Sequence, residues 1–143
     1  MKQFSTYFLL SCTIGSLLLA QMPESKEATL IEAVSSSEWL IEATGKYTSP
    51  EKKEKKAKKD VDKNGVNKAT DDAKKAVVYF VLFGGTDPLI SSSQERQKFD
   101  EYESFYFDMS NISRYISWEE SALQKKVKLN GAVCKLTVPF NLP

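Results

Sequence analysis

Hydrophobic and polar positions change period along this chain, and each period marks a different element. An uncharged apolar run comes first, over residues 8–20 (FLLSCTIGSLLLA), and Lys2 is the only charged residue before Glu24. Residues 38–47 (EWLIEATGKY) place Trp39, Ile41 and Ala43 at every second position with Leu40 on the other face, the period of a half-buried strand. Gly45 within that strand points to a bulge or a close backbone contact. Over residues 66–83 the repeat becomes helical: Val66, Ala69, Ala73, Ala76 or Val77, Phe80 and Phe83 recur three and four apart, with Lys68, Asp72, Lys74 and Lys75 on the other side. The second half of this segment, residues 77–83, has no polar face, so periodicity leaves a buried helix and a strand both open. Gly84, Gly85 and Pro88 supply stop signals.

Ser92 and Glu95 form a capping box ahead of a second helix, in which Phe99, Tyr102, Phe105 or Tyr106, Met109 and Ile112 fall at helical spacing. Residues 114–118 (RYISW) are short and β-prone. Residues 126–140 alternate on either side of Asn130-Gly131, a strong hairpin signal, with Val127 and Leu129 before the turn and Cys134, Leu136, Val138 and Phe140 on one face after it. Pro139 is expected to put the last strand at a sheet edge or to end its pairing there. These elements predict an α+β fold, a small antiparallel sheet with two helices packed on one face.

Residues 49–63 (SPEKKEKKAKKDVDK) hold seven lysines and four acids, with only Ala57 and Val61 as apolar residues. Such a segment reads as a solvated loop or a frayed helix, because it has little surface to bury against its ordering entropy. The organisation expected is a signal peptide at 1–20, a flexible leader at 21–36 containing Pro23, and a single α+β domain at 37–143 with a lysine-rich insert at about 49–64. The apolar run suits a cleaved export signal with a cut between Ala20 and Gln21. A spanning helix needs roughly 20 apolar residues, and Ser11, Thr13, Gly15 and Ser16 dilute this core. Leu18 stands where a cleavage site usually has a small residue, so the cut can move by a few positions. Leu9-Leu10-Ser11-Cys12 resembles a bacterial lipobox, but the apolar run continues past the cysteine where a lipoprotein turns polar.

Composition narrows the chemistry. Removing residues 1–20 leaves 123 of the 143 residues, enough for one core. With 20 Lys+Arg against 19 Asp+Glu the chain is close to neutral, so no nucleic-acid partner is expected. Histidine is absent, which excludes Ser-His-Asp and Cys-His catalysis and His-ligated zinc. Cys134 is the sole cysteine after Cys12 and sits in an apolar run, the setting of a buried inert thiol. Carboxylate or lysine catalysis survives these exclusions, but no spacing singles out a pair.

One segment matches a named chemical motif. Asp60, Asp62, Asn64 and Asp71 fall at positions 1, 3, 5 and 12 of an EF-hand loop with Gly65 at position 6. The final ligand is the shorter Asp71 instead of glutamate, Asn67 takes the usual apolar position, and neighbouring lysines oppose a cation; Asx turns and helix capping are the simpler alternative. Gly84-Gly85-Thr86-Asp87 lacks the Gly-Lys-Ser/Thr of a phosphate loop. Asn111-Ile112-Ser113 satisfies a glycosylation sequon, relevant only in a eukaryotic secretory pathway. Five aromatics between Phe99 and Phe107 offer a stacking platform or, more simply, core packing. No catalytic, cofactor-binding or metal-ligating residue is assigned.

A strand ending in Glu42-Ala43-Thr44-Gly45, a helix with Ala69-Thr70-Asp71-Asp72-Ala73-Lys74-Lys75-Ala76-Val77, and a hairpin ending in Leu136-Thr137-Val138-Pro139 together resemble the N-terminal domain of the flagellar assembly protein T family and related small bacterial envelope lipoproteins. The resemblance covers residues 39–140 and implies an Ala-rich helix on a small sheet; it supplies no catalytic residue. The lysine-rich insert and the long aromatic helix depart from it. The function expected is that of an exported, non-enzymatic, envelope-associated structural or interaction protein, in the periplasm or cell envelope or secreted, with protein partners there. Membrane association is expected only through lipid at Cys12 or an uncleaved signal. The alternatives are a calcium-binding module at 60–71 and a carboxylate- or lysine-based enzyme.

Overall fold

The computed structural model describes residues 21–85, 87–119 and 126–143; the export segment, Cys12 and the cut after Ala20 lie outside the described residues. The order of elements is β1 (Ala28–Ser35), β2 (Glu38–Thr48), α1 (Glu54–Phe83), α2 (Ser93–Tyr106), α3 (Met109–Tyr115), β3 (Trp118–Glu119), β4 (Lys126–Asn130) and β5 (Val133–Leu142). All strand pairs are antiparallel, in the order β1-β2-β5, with β3 and β4 both on the far flank of β5. This is the α+β class that the periodicities predict.

The core lies between α1 and one face of β2 and β5. Ile41, Ala43, Cys134, Leu136, Val138 and Phe140 are buried against Val61, Ala69, Ala73, Ala76 and Val77. The register brings Ile41 opposite Phe140, Ala43 opposite Val138 and Gly45 opposite Leu136, so one face of both strands is apolar. Small residues set the distance between the layers. A Cβ on Gly45 would lie 1.8 Å from the Ala69 carbonyl oxygen and 2.5 Å from the Ala73 nitrogen. The strand and the helix thus meet with glycine on the strand against alanines on the helix.

A second cluster forms at the other side of α1, where Val78, Leu82, Ile90, Phe99, Phe107 and Ile112 are buried together. Phe99 packs edge-on to Phe83 at 4.8 Å and stacks on Tyr106 at 5.5 Å. The apolar run 77–83 is therefore helix, and it has no polar face because one side meets the sheet and the other meets α2 and α3. Phe99 and Phe107 belong to this core, whereas Tyr102 and Phe105 are exposed.

Several expectations change. The segment 21–36 is not a flexible leader: Pro23 and Ser25 are buried, and residues 28–35 are strand β1, paired with β2 from Ala28–Ala43 to Ser35–Glu38. The lysine-rich stretch is not a loop from residue 54 onward but the first turns of α1, because Ala57, Val61 and Gly65, four apart, bury against the sheet. Residues 92–112 are not one helix. Asp108 caps a separate α3 by accepting from the Ser110 N–H, and the expected strand at 114–118 yields to α3 through Tyr115, followed by the two-residue β3. Among the described residues, α1 packs directly on one face of the sheet, and α2 and α3 pack on the other side of α1.

Pro139 does not lie in an edge strand. β5 is central, and the Ser117 N–H donates to the Asn141 carbonyl at 2.9 Å, which turns the backbone of Asn141 toward β3. By the two-residue repeat Pro139 faces the same flank. There it falls between Phe140, the last partner of β3, and Thr137, the first partner of β4, so its missing N–H costs no bond to β2. The β4–β5 hairpin forms, with its turn one residue later than the expected Asn130-Gly131: Asn130 pairs with Val133, and Gly131 at φ +57° takes the first central position, where a type II′ turn needs glycine.

Candidate functional site

The residues of the EF-hand-like pattern do not form a loop. Asp60, Asp62, Asn64 and Asp71 all lie on continuous helix α1. At 1.5 Å per residue the first and last are about 16 Å apart along the axis, so they cannot close on one cation at about 2.4 Å. Asp60 instead turns toward the sheet, accepting from the Tyr47 hydroxyl at 2.8 Å, the Ser49 hydroxyl at 2.6 Å and the Asn64 amide at 2.8 Å. These donors, Ser49 first, hold its carboxyl below the usual range, and burial, helped by the contact with Asp60, raises the Tyr47 phenol. The arrangement latches the first half of α1 to the end of β2. Asp62 points to solvent.

Asp72 makes a second latch. It accepts the backbone N–H groups of Glu24 at 2.6 Å, Ser25 at 3.0 Å and Lys46 at 2.9 Å. Beside it the Glu24 carboxylate pairs with Lys46 at 2.8 Å and accepts from the Thr48 hydroxyl at 2.8 Å. Burial pushes the Asp72 carboxyl up, and the three N–H groups oppose that rise. The result ties residues 24–25 to both β2 and α1.

Ionisable groups converge around one depression of about 600 Å³ that includes Glu24, Lys46, Lys68, Asp71, Asp72 and Lys75. It is open, and polar and apolar atoms line it about equally. Asp72, Glu24 and Lys46 are moreover engaged with backbone or with each other. Cys134 is fully buried, and burial pushes its thiol up, away from nucleophilic character.

Exposed apolar side chains occur at several places among the described residues, including Leu89, Tyr102 and Phe105, Val127 and Leu129 on β4, and a group on β1. Among the described residues β1 pairs with β2 alone, and its Leu30, Ile31 and Val34 are 41%, 52% and 51% exposed. Its register shifts at Ile31 and Val34 interrupt the ladder with β2. A groove of about 320 Å³ runs beside β1, lined by Leu30, Trp39, Phe80 and Val81 among others. No local pattern in the sequence reveals this site, since exposure of β1 follows from strand order.

No protein-family model matches the chain, and no curated protein or solved structure matches it at a significant level.

Proposed function

We propose that this is an exported, non-enzymatic, envelope-associated interaction protein that binds a protein partner along the free side of β1. The observation carrying this reading is the row of exposed apolar residues, Leu30, Ile31 and Val34, on a strand whose outer backbone groups have no neighbouring strand among the described residues. A partner segment placed there gains backbone hydrogen bonds and buries those side chains. The two register shifts limit the regular stretch, which guards the edge against indiscriminate pairing. Export is supported by the uncharged apolar run at residues 8–20. A non-catalytic role is supported by the employment of the perturbed carboxylates: Asp60 and Asp72 hold elements together, and Glu95 and Asp108 cap helices.

The test is site-specific photocrosslinking in the native host from probes at Ile31 and Val34, with a probe at Asp62 as control. A discrete protein adduct from the β1 positions, lost when Leu30 and Ile31 are replaced by lysine, is expected. Adducts that are absent, or identical from Asp62, would contradict the reading.

A further inference from the structure

Helical folding of the lysine-rich segment sorts its charges. Lys55, Lys59 and Lys63 follow one another four residues apart along α1, all exposed, on the side away from buried Ala57, Val61 and Gly65. Lys56 lies beside this row, and exposed Lys52 precedes the helix. Of the acids within the segment, Asp60 is turned inward onto Tyr47 and Ser49. Among the described residues, none of these five lysines forms an ion pair. Like charges four apart on a helix repel, each such pair costing a few tenths of a kcal/mol; Asp62, exposed three residues after Lys59, and Asp60, which attracts Lys63, offset part of this, and the row keeps an excess of positive charge.

The charge is also placed at one end of the molecule. Residues 51–63 carry seven lysines and four acids, while α2, with Glu95, Asp100, Glu101 and Glu103 against Arg96 and Lys98, is net acidic. α2 packs on Phe83 at the far end of α1, about 45 Å from the lysine end at 1.5 Å per residue. A nearly neutral chain thus has a directed charge separation, which orients it in an external field.

We infer that the lysine ridge of α1 is a docking surface for an anionic lipid bilayer. The ridge is convex and carries lysines without arginine or aromatic residues. It has neither the planar fork for specific phosphate recognition nor the stacking groups and groove of a single-strand binder. A plane of anionic headgroups can meet all five lysines together, each worth about a fivefold gain in partitioning near the surface. This contact requires neither lipid at Cys12 nor a spanning segment, and it does not rest on the β1 reading.

The test compares partitioning of the full chain onto phosphatidylglycerol-containing vesicles and onto phosphatidylcholine vesicles at about 0.1 M salt, where the Debye length is about 10 Å. Any charge-independent affinity of residues 1–20 is common to both vesicle types and cancels in the ratio. The expected ratio is at least tenfold. It should collapse in a variant with Lys55, Lys56, Lys59 and Lys63 all changed to glutamine, and return when the same four are changed to arginine, with helix content checked by circular dichroism. A ratio near one, a glutamine variant that partitions like the parent, or displacement from vesicles by a DNA duplex at lower phosphate concentration would each overturn the inference.

Discussion

At the scale of single residues, the tightest constraint is Gly45. Any side chain there meets helix backbone, which has no rotamer to yield, so Gly45→Ala must push α1 off β2. The expected cost is about 3 kcal/mol, at the upper end of ordinary overpacking, read as a lower urea midpoint. Gly131→Ala offers a contrast: nothing lies within 4 Å, but φ is +57°, so a loss of about 1–2 kcal/mol comes from backbone strain alone. Asp72→Ala leaves three N–H groups without their acceptor and should cost about 1–3 kcal/mol, with faster amide exchange at Glu24, Ser25 and Lys46. Asp62→Ala, on the solvent side of the same helix, should stay within about 0.5 kcal/mol.

Titration belongs to this scale too. Ser91 and Ser92 donate to Glu95 and hold its carboxyl down to about 2, from an ordinary value of 4.5. Folding therefore favours the ionised form. This contribution is complete above pH 4.5 and is lost as pH falls toward about 2. Asp60 and Asp108 act in the same direction, while Asp72, raised by burial, acts in the opposite one. Thermal midpoints should fall on acidification, and Glu95→Gln should flatten part of that fall. An unchanged acid limb in the variant would refute the capping account.

Among the elements, those with a complete local signal were legible in the sequence. Alternation in 38–47 and the Ser92–Glu95 box appear where they were expected, and the last hairpin turns one residue past the expected position, at Gly131-Ala132. Elements defined by distant partners were not. β1 lacks clean alternation, because as an edge strand it buries little on either face. The start of α1 was obscured by charge, although lysine, glutamate and alanine are good helix formers and Ala57, Val61 and Gly65 carry the buried stripe. Asp72 gave no signal at all, since its donors lie 48, 47 and 26 residues away. The layer built by α2 and α3 should be separable from the sheet. Phe99→Ala removes the ring shared by Phe83, Tyr106 and Phe107, at a cost of about 3–5 kcal/mol. Amide protection should drop in α2 and α3 before it drops in β2 and β5.

Across the whole molecule, α1 is the spine: one side supports the sheet, the other supports α2 and α3, and its first turns carry the lysine ridge. Residues 21–27 are held to that spine by Asp72, Lys75 and the β2 backbone, with the Lys75 ammonium donating to the Gln21 carbonyl at 3.0 Å. The proposal that this protein works outside the cytoplasm is tested most directly by intact mass of the protein recovered from fractionated native host cells. The account predicts a species beginning at or near Gln21 in the exported fraction. A cytoplasmic species that retains residues 1–20 would contradict it.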